Sequence, residues 1–163
     1  MKKFSLLFLF SLLFWAGKSQ DFSHIALDNR IYTDDIYSVK LCPADKYFGT
    51  PIIKLNSGEQ LRLVFDHLGD YDEYMKYTLI HCSHDWQLSP MNPLEYLDGF
   101  MEDEITDNSY SFNTITGYTH FELLLPNDLL RITKSGNYIL FVYDETPENP
   151  ILTQRFMVVE STT

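Results

Sequence analysis

The sequence predicts an all-β fold, an immunoglobulin-like sandwich of roughly eight antiparallel strands. Apolar and polar residues alternate over short stretches separated by turn signals, a pattern typical of two-sheet sandwiches. Almost no stretch has helical periodicity. Apolar residues make up 45% of the chain and aromatic residues 15%, enough for a sizeable core. A length of 163 residues suits a single domain.

A long strand is predicted at 74–82, and we expect the fold to be organised around it. It has few polar positions on either face, so it should lie centrally in a sheet with other structure packed over both faces. Its predicted end is Ser83-His84-Asp85, and Trp86 follows. The other strands are predicted, in chain order, at 36–42, 52–55, 59–68, 110–113, 118–125, 137–143 and 152–159.

The alternating pattern lapses between residues 87 and 108. Pro90, Pro93 and Gly99 interrupt this stretch, and residues 101–107 are mostly acidic. A connection of this length inside a compact domain is usually functional or an unusual loop.

The N-terminus has the features of a secretory signal peptide. A short basic start precedes an apolar run at 4–16, and Gly17 and Ser19 supply the small residues that precede a cleavage site, which we place between Ser19 and Gln20. The run is shorter than the ~20 residues of a membrane-spanning helix, which disfavours the alternative of an uncleaved anchor. We therefore expect 1–19 to be a signal peptide.

The remaining domain, residues 20–163, is strongly acidic. Three lysines and no acidic residue lie in 1–19, so cleavage leaves nine basic and 23 acidic residues and a net charge of −14. Nucleic acids and anionic membrane surfaces would repel such a chain. The charge is compatible with a basic protein partner or divalent cations, and it also suits the solubility of an exported protein.

Cys42 and Cys82 are the two cysteines of the chain. In an oxidising compartment they could form one disulfide that joins an early strand to the central one. Immunoglobulin-like sandwiches pack such a bridge against a tryptophan, and Trp86 follows Cys82 closely. Two buried free thiols are the alternative, because pairing cannot be deduced from sequence alone.

No metal site is expected from the sequence. The spacing of His81 and His84 puts them on opposite faces of a strand, and no zinc motif is present. The acidic stretches at 66–73 and 101–107 lack the calcium-loop pattern, so solvated turns are expected there, although the second stretch also suits a basic partner. The histidines considered are His24, His67, His81, His84 and His120.

Catalysis is not expected either, and no cofactor is predicted. Ser83, His84 and Asp85 are consecutive, whereas a catalytic triad requires side chains that converge through space. No nucleophile motif such as GxSxG is present. Trp86 and the tyrosine-rich strands could form a sugar-stacking surface, which makes a secreted carbohydrate-binding module the alternative function, but Trp86 also suits a core position.

Several long phrases resemble one known family. They are IHCSHDW at 80–86, EYLDGF at 95–100, GYTHF at 117–121, ITKSGNY at 132–138 and LTQRFMVVE at 152–160. Together with residues 51–68, they resemble the N-terminal domain of the plug protein of the bacterial type IX secretion system. The resemblance runs from about Ile31 to Glu160.

The resemblance implies a periplasmic, non-enzymatic protein at the inner face of the outer membrane, peripheral to the membrane rather than inserted in it. Its partner would be the outer-membrane β-barrel translocon, whose periplasmic opening it occludes when no substrate is in transit. Plug proteins are typically longer, so the chain is expected to be truncated from a longer protein or to be a one-domain relative. The irregular stretch 86–100 is the candidate contact surface, with Trp86, Tyr96 and Phe100 as candidate contact residues.

Overall fold

The computed structural model describes residues 22–69 and 75–160. Within these residues, two β-sheets pack face to face around a core of apolar side chains. The prediction of an all-β sandwich is confirmed. The predicted signal peptide at 1–19 lies outside the described residues. In the described ranges, no helix has the length and apolar character that would allow it to cross a membrane.

The described chain contains one short helix and twelve strands. In chain order they are β1 (Arg30–Ile31), β2 (Ile36–Pro43), β3 (Ile52–Lys54), β4 (Leu61–Leu68), β5 (Met75–Cys82), α1 (Pro93–Tyr96), β6 (Leu97–Gly99), β7 (Glu102–Glu104), β8 (Asp107–Tyr110), β9 (Tyr118–Leu125), β10 (Leu130–Ile132), β11 (Gly136–Asp144) and β12 (Pro150–Val159).

The strand order is that of an immunoglobulin-like sandwich. The first sheet has the order β1-β12-β11-β5-β7, and β3 adds to β12 in parallel. The second sheet has the order β2-β4-β9-β8, and β6 and β10 form a separate antiparallel pair. In immunoglobulin nomenclature, the second sheet corresponds to strands A-B-E-D, and β12-β11-β5-β7 corresponds to G-F-C-C′.

Seven of the eight predicted strands lie at or close to their predicted positions, and the eighth shares only Tyr110 with its prediction. The one predicted at 110–113 lies earlier, at Asp107–Tyr110, because Asn113 has a φ of 62° and the chain turns there. The structure adds β1, β6, β7, β10 and α1, which have two to four residues each. Elements this short show no usable periodicity, and three of them fall in the segment where the alternating pattern lapses.

Strand β5 is covered on both faces, as the sequence predicted. Tyr77 and Leu79 point into the core between the sheets. Ile80 and Cys82 point the other way, into a second apolar group on the outer face of the first sheet. This outer cluster consists of Ile25, Ile80, Cys82, Ile139, Phe141 and Tyr143.

The outer cluster is covered by an N-terminal strap, residues 22–29. The ring of Phe22 meets that of Phe141 edge-on, with the ring centroids 6.1 Å apart. Nε of Arg155 donates a hydrogen bond to the Leu27 carbonyl at 2.7 Å. The strap therefore shields apolar side chains that a two-sheet sandwich would otherwise leave in water.

The turn between β10 and β11 is closed by Tyr138. Its side chain is fully buried, and its hydroxyl donates a hydrogen bond to the carbonyl of Lys134 at 2.8 Å. Burial raises the pKa of Tyr138, so the hydroxyl stays protonated as the donor. Tyr138 lies near the start of β11, which corresponds to strand F, and its hydroxyl bonds to the backbone a few residues upstream. This arrangement is the tyrosine corner of immunoglobulin-like sandwiches.

The disulfide between Cys42 and Cys82 is not formed, and both thiols are buried and free. Cys42 lies opposite Arg62, which alternates with core residues, so its side chain is on the outer face of the second sheet. Cys82 lies in the outer cluster of the first sheet. The core of the sandwich separates the two thiols, so the alternative of two free thiols is what the structure shows.

Replacing Tyr138 by Phe tests how much the hydrogen bond of the tyrosine corner contributes to stability. We expect Tyr138→Phe to lower the free energy of unfolding by about 1 kcal/mol, because the Lys134 carbonyl loses its protein donor while the ring still fills the core. Urea denaturation of residues 20–163 measures the change. The matched control is Tyr47→Phe, since the Tyr47 side chain is 78% exposed. Equal stability of the wild-type and Tyr138→Phe proteins would contradict the prediction.

Thiol titration tests the state of the cysteines. Burial raises the pKa of Cys82 to about 11, so near neutral pH it is a protonated, poorly nucleophilic thiol. We expect a chromogenic disulfide reagent to react slowly with the folded protein, and two thiols per chain to react rapidly in urea without reductant. Absence of reactive thiols in urea would instead show a disulfide.

Candidate functional site

The predicted contact stretch, 86–100, connects β5 to the edge of the first sheet. The structure places its three candidate residues in different surroundings. Trp86 is half-buried, Tyr96 is buried, and Phe100 is 59% exposed. Phe100 is therefore the candidate that is best placed to meet a partner.

Tyr96 is a core residue, which corrects its prediction as a contact residue. A capping box begins α1: Asn92 accepts a hydrogen bond from the Leu94 N–H, and Glu95 accepts one from the Asn92 N–H. The single helical turn directs Tyr96 into the core, where its hydroxyl donates to the Leu79 carbonyl at 3.3 Å. Burial raises the pKa of Tyr96. A side chain that is only 3% exposed is not available to a partner.

Trp86 stabilises the outer face of the first sheet. Its backbone N–H donates to the Ser83 carbonyl at 3.1 Å, which closes the turn after β5. Its ring packs against the outer cluster, and the Arg155 guanidinium carbon lies 4.3 Å from the ring centroid. This geometry is a cation–π contact. A sugar that stacked on this face of Trp86 would have to displace the guanidinium.

Phe100 is held at the surface by the pair β6 and β10. Its backbone N–H donates to the Leu129 carbonyl at 2.8 Å, so the two residues are neighbours. Gly99 has a φ of 105°, and a Cβ added to it would lie 2.2 Å from the same carbonyl oxygen. Glycine is therefore required for the close backbone approach that presents Phe100 to solvent.

Acidic and apolar side chains line the surface next to Phe100. Strands β7 and β8 are edge strands of the two sheets on one side of the sandwich, and only Ile105 and Thr106 separate them. The loop between β9 and β10 adds Asp128 and Leu129. We call this surface the acidic edge and define it as Phe100, Glu102, Asp103, Glu104, Asp107, Asp128 and Leu129.

Two shallow grooves of about 230 and 360 Å³ lie along the acidic edge and share Asp103 and Glu104 as lining residues. The larger groove also has apolar walls from Leu124 and Leu129, which are 40% and 49% exposed. Carboxylates beside exposed apolar side chains suit a partner surface that offers both cations and apolar contacts.

Some carboxylates of the acidic edge have internal partners. Glu102 accepts a hydrogen bond from the Tyr143 hydroxyl at 2.5 Å and lies 3.8 Å from Nζ of Lys76. Asp103 accepts from the Tyr77 hydroxyl, whose pKa burial raises to about 12. These bonds tie the edge strand to the sheet.

The remaining carboxylates face solvent. Within residues 22–69 and 75–160, Glu104, Asp107 and Asp128 are exposed and form no ion pair. Charged side chains on edge strands also prevent unwanted pairing with other strands, so these acidic residues have a structural role as well.

Sequence reasoning identified only part of this site. Residues 101–107 were expected to form a solvated turn, whereas they supply two edge strands. Their acidity was the available signal. Asp128 and Leu129 carried no signal, because only the pairing of β6 with β10 brings them beside Phe100.

The half-buried histidines have separate interaction partners. His67 pairs with Asp35 at 2.8 Å, and His120 pairs with Asp66 at 2.6 Å. His81 packs edge-on against the ring of Tyr138, and burial lowers its pKa. Among the described residues, no three side chains of His, Cys, Asp or Glu are grouped so as to hold a metal ion.

The acidic stretch at 66–73 is only partly described. Asp66 forms the pair with His120, whereas Asp70, Asp72 and Glu73 lie outside the described residues. The Ser83-His84-Asp85 sequence forms a turn in which the Ser83 hydroxyl bonds the Asp85 carboxylate, and this bond lowers the pKa of Asp85.

Comparison with known proteins assigns the family. The family described as type 9 secretion system plug protein, first domain, matches residues 36–160. A crystal structure of a hypothetical protein from Parabacteroides merdae is similar, with 35% sequence identity and a TM-score of 0.79. The similarity covers 83% of this chain and 34% of the other, so the chain spans about a third of that protein's length. No curated protein matches the chain.

The family match includes every strand of the second sheet and all of the first sheet except β1. It also includes the whole acidic edge, from Phe100 to Leu129. The resemblance that the sequence phrases suggested is confirmed. The chain belongs to the family of type 9 secretion system plug proteins, and residues 36–160 form its plug-family first domain.

Proposed function

We propose that this protein is a non-enzymatic periplasmic component of the type IX secretion system that binds and occludes the periplasmic opening of the outer-membrane translocon barrel. The observation that carries the proposal is the family match over residues 36–160. A role associated with type IX secretion follows from the family itself. The periplasmic location is supported by the signal-peptide pattern at 1–19.

The architecture suits occlusion. A sandwich whose core residues are almost all fully buried is a stiff body, because native interiors are close-packed. Such a body blocks an opening by its bulk and needs only a docking surface. The similarity covers only 34% of the Parabacteroides merdae protein, so blocking by residues 22–160 alone is part of the proposal.

We assign docking to the acidic edge. Phe100 and Leu129 offer exposed apolar area within it, and the solvent-facing carboxylates Glu104, Asp107 and Asp128 attract a basic rim. Apolar anchors contribute most of the affinity of an interface, while complementary charge speeds association and sets orientation. The partner surface would therefore be an apolar patch that is bordered by Lys or Arg.

Co-purification tests the apolar anchor. Tagged residues 20–163 would be expressed in a type IX-secreting bacterium that lacks its own plug protein, and the barrel would be quantified in the eluate. We expect the wild-type protein to recover the barrel and the Phe100→Ser variant to recover about tenfold less of it. Loss of an aromatic side chain that becomes buried in an interface costs roughly 1.4 kcal/mol or more of binding free energy.

The matched control is Phe112→Ser. Phe112 is 94% exposed and lies in the loop between β8 and β9, outside the acidic edge. Its substitution should leave recovery unchanged. Failure of a folded wild-type domain to recover the barrel would contradict docking by this domain, and equal losses for the two variants would contradict the assignment to Phe100.

Charge reversal tests the acidic rim. We expect Glu104→Lys combined with Asp107→Lys to slow association with the barrel and to reduce its dependence on salt, because both carboxylates face solvent. The control is Asp34→Lys combined with Glu145→Lys, an equal charge change at exposed positions elsewhere. The rates at which the two double variants associate with the immobilised barrel are measured at two salt concentrations and compared. Equal slowing of association in both double variants would indicate only an effect of net charge and would contradict the role of the acidic rim.

A further inference from the structure

Two adjacent aromatic side chains protrude from the loop between β2 and β3. Tyr47 is 78% exposed and Phe48 is 82% exposed. Aromatic rings normally bury their large apolar area, so two neighbouring exposed rings call for an explanation. We call residues 44–50 the aromatic loop.

The aromatic loop folds over the outer face of the second sheet. The Cys42 thiol on that face donates to the Lys46 carbonyl at 3.3 Å. Nζ of Lys40, on the same strand, lies 4.1 Å from the centroid of the Phe48 ring and 5.7 Å from that of Tyr47. Lys40 therefore holds both rings by cation–π contacts on one side while they remain open to solvent.

Lys40, Lys46 and Arg62 border the loop, and the nearby carboxylate of Glu59, which lines a groove together with Lys46, is paired with Lys54 at 3.8 Å. Lys40 and Lys46 form no ion pair with any part of the chain that the structure describes. Arg62 lies 5.8 Å from the Tyr47 ring and 3.9 Å from Glu122. Asp45 is the acidic residue within the loop itself. Lys40 therefore lies over the two exposed rings, Lys46 directly precedes Tyr47 in the chain, and neither lysine is paired with a described carboxylate.

Exposed aromatic rings beside lysines match the chemistry of a phospholipid surface. Aromatic rings settle at the level of the headgroups, and each lysine near an anionic surface contributes attraction. We propose that the aromatic loop binds the anionic surface of a phospholipid bilayer, with Tyr47 and Phe48 in the headgroup region and Lys40 and Lys46 against the phosphates. This binding is separate from docking to the translocon barrel and does not require it.

The net charge of −14 for residues 20–163 does not prevent this contact. At physiological salt, charges are screened over about 8 Å, so the side chains nearest the membrane determine the local attraction. The carboxylates of the acidic edge belong to β7, β8 and the loop after β9, whereas the aromatic loop lies between β2 and β3.

Vesicle co-sedimentation tests the proposal. Residues 20–163 contain every described strand and the whole core, and they omit the apolar run at 4–16, which would itself bind lipid. The probes are vesicles of phosphatidylethanolamine with phosphatidylglycerol, and vesicles of phosphatidylcholine alone. We expect partitioning onto the anionic vesicles that weakens as salt is raised.

Substitutions locate the contact. We expect Lys40→Gln with Lys46→Gln to lower the partition coefficient about 25-fold, that is about fivefold for each lysine. Phe48→Ser should lower it at least about fivefold. Phe112→Ser is the matched control, because Phe112 is even more exposed but no charged residue occurs in 111–117. Circular dichroism checks that each variant is folded.

Three outcomes would overturn the proposal. These are no binding by the wild type, equal binding to both kinds of vesicle, and an equal loss in Phe112→Ser and Phe48→Ser. Binding of the loop to soluble polyglutamate but not to vesicles would assign it to an acidic protein instead. Because no translocon is present, these results are independent of the co-purification with the barrel.

Discussion

The structure depends on covering both faces of β5. This strand carries apolar side chains in both directions, and neither face can be left in water at low cost. The second sheet covers one face, and the N-terminal strap with Trp86 covers the other. Arg155 links the two parts of the outer cover, since it bonds the Leu27 carbonyl and lies over the Trp86 ring.

A second requirement, protection of the sheet edges, explains why the acidic residues lie where they do. Among the described strands, the first sheet continues from β5 to β7 and ends there, so β7 is an edge strand. Acidic side chains protect such an edge from pairing with other strands. The chain then crosses directly into β8, the edge of the second sheet, which extends the acidity across both sheets. The acidic side chains that protect the edge strands from unwanted pairing thus also form a surface suited to a basic partner.

The two proposed surfaces have opposite chemistry. The acidic edge combines carboxylates with Phe100 and Leu129, whereas the aromatic loop combines lysines with Tyr47 and Phe48. Opposite charge on separate surfaces of one stiff domain favours a defined orientation between a membrane and a protein partner. In the proposed occlusion of the barrel, orientation matters as much as affinity, because the correct face of the domain must lie at the opening.

The sequence by itself determined the fold class, the six strands of eight or more residues and the family. Those strands alternate regularly enough to reveal their period, and the phrases that carry the resemblance are long and ordered. Tertiary structure decided the rest. The short strands β6, β7 and β10 form because other strands pair with them. Tyr96 is buried because α1 turns its side chain into the core. Cys42 and Cys82 are separated because they lie on the outer faces of different sheets. Each of these outcomes depends on contacts between residues distant in the chain, which local pattern does not record.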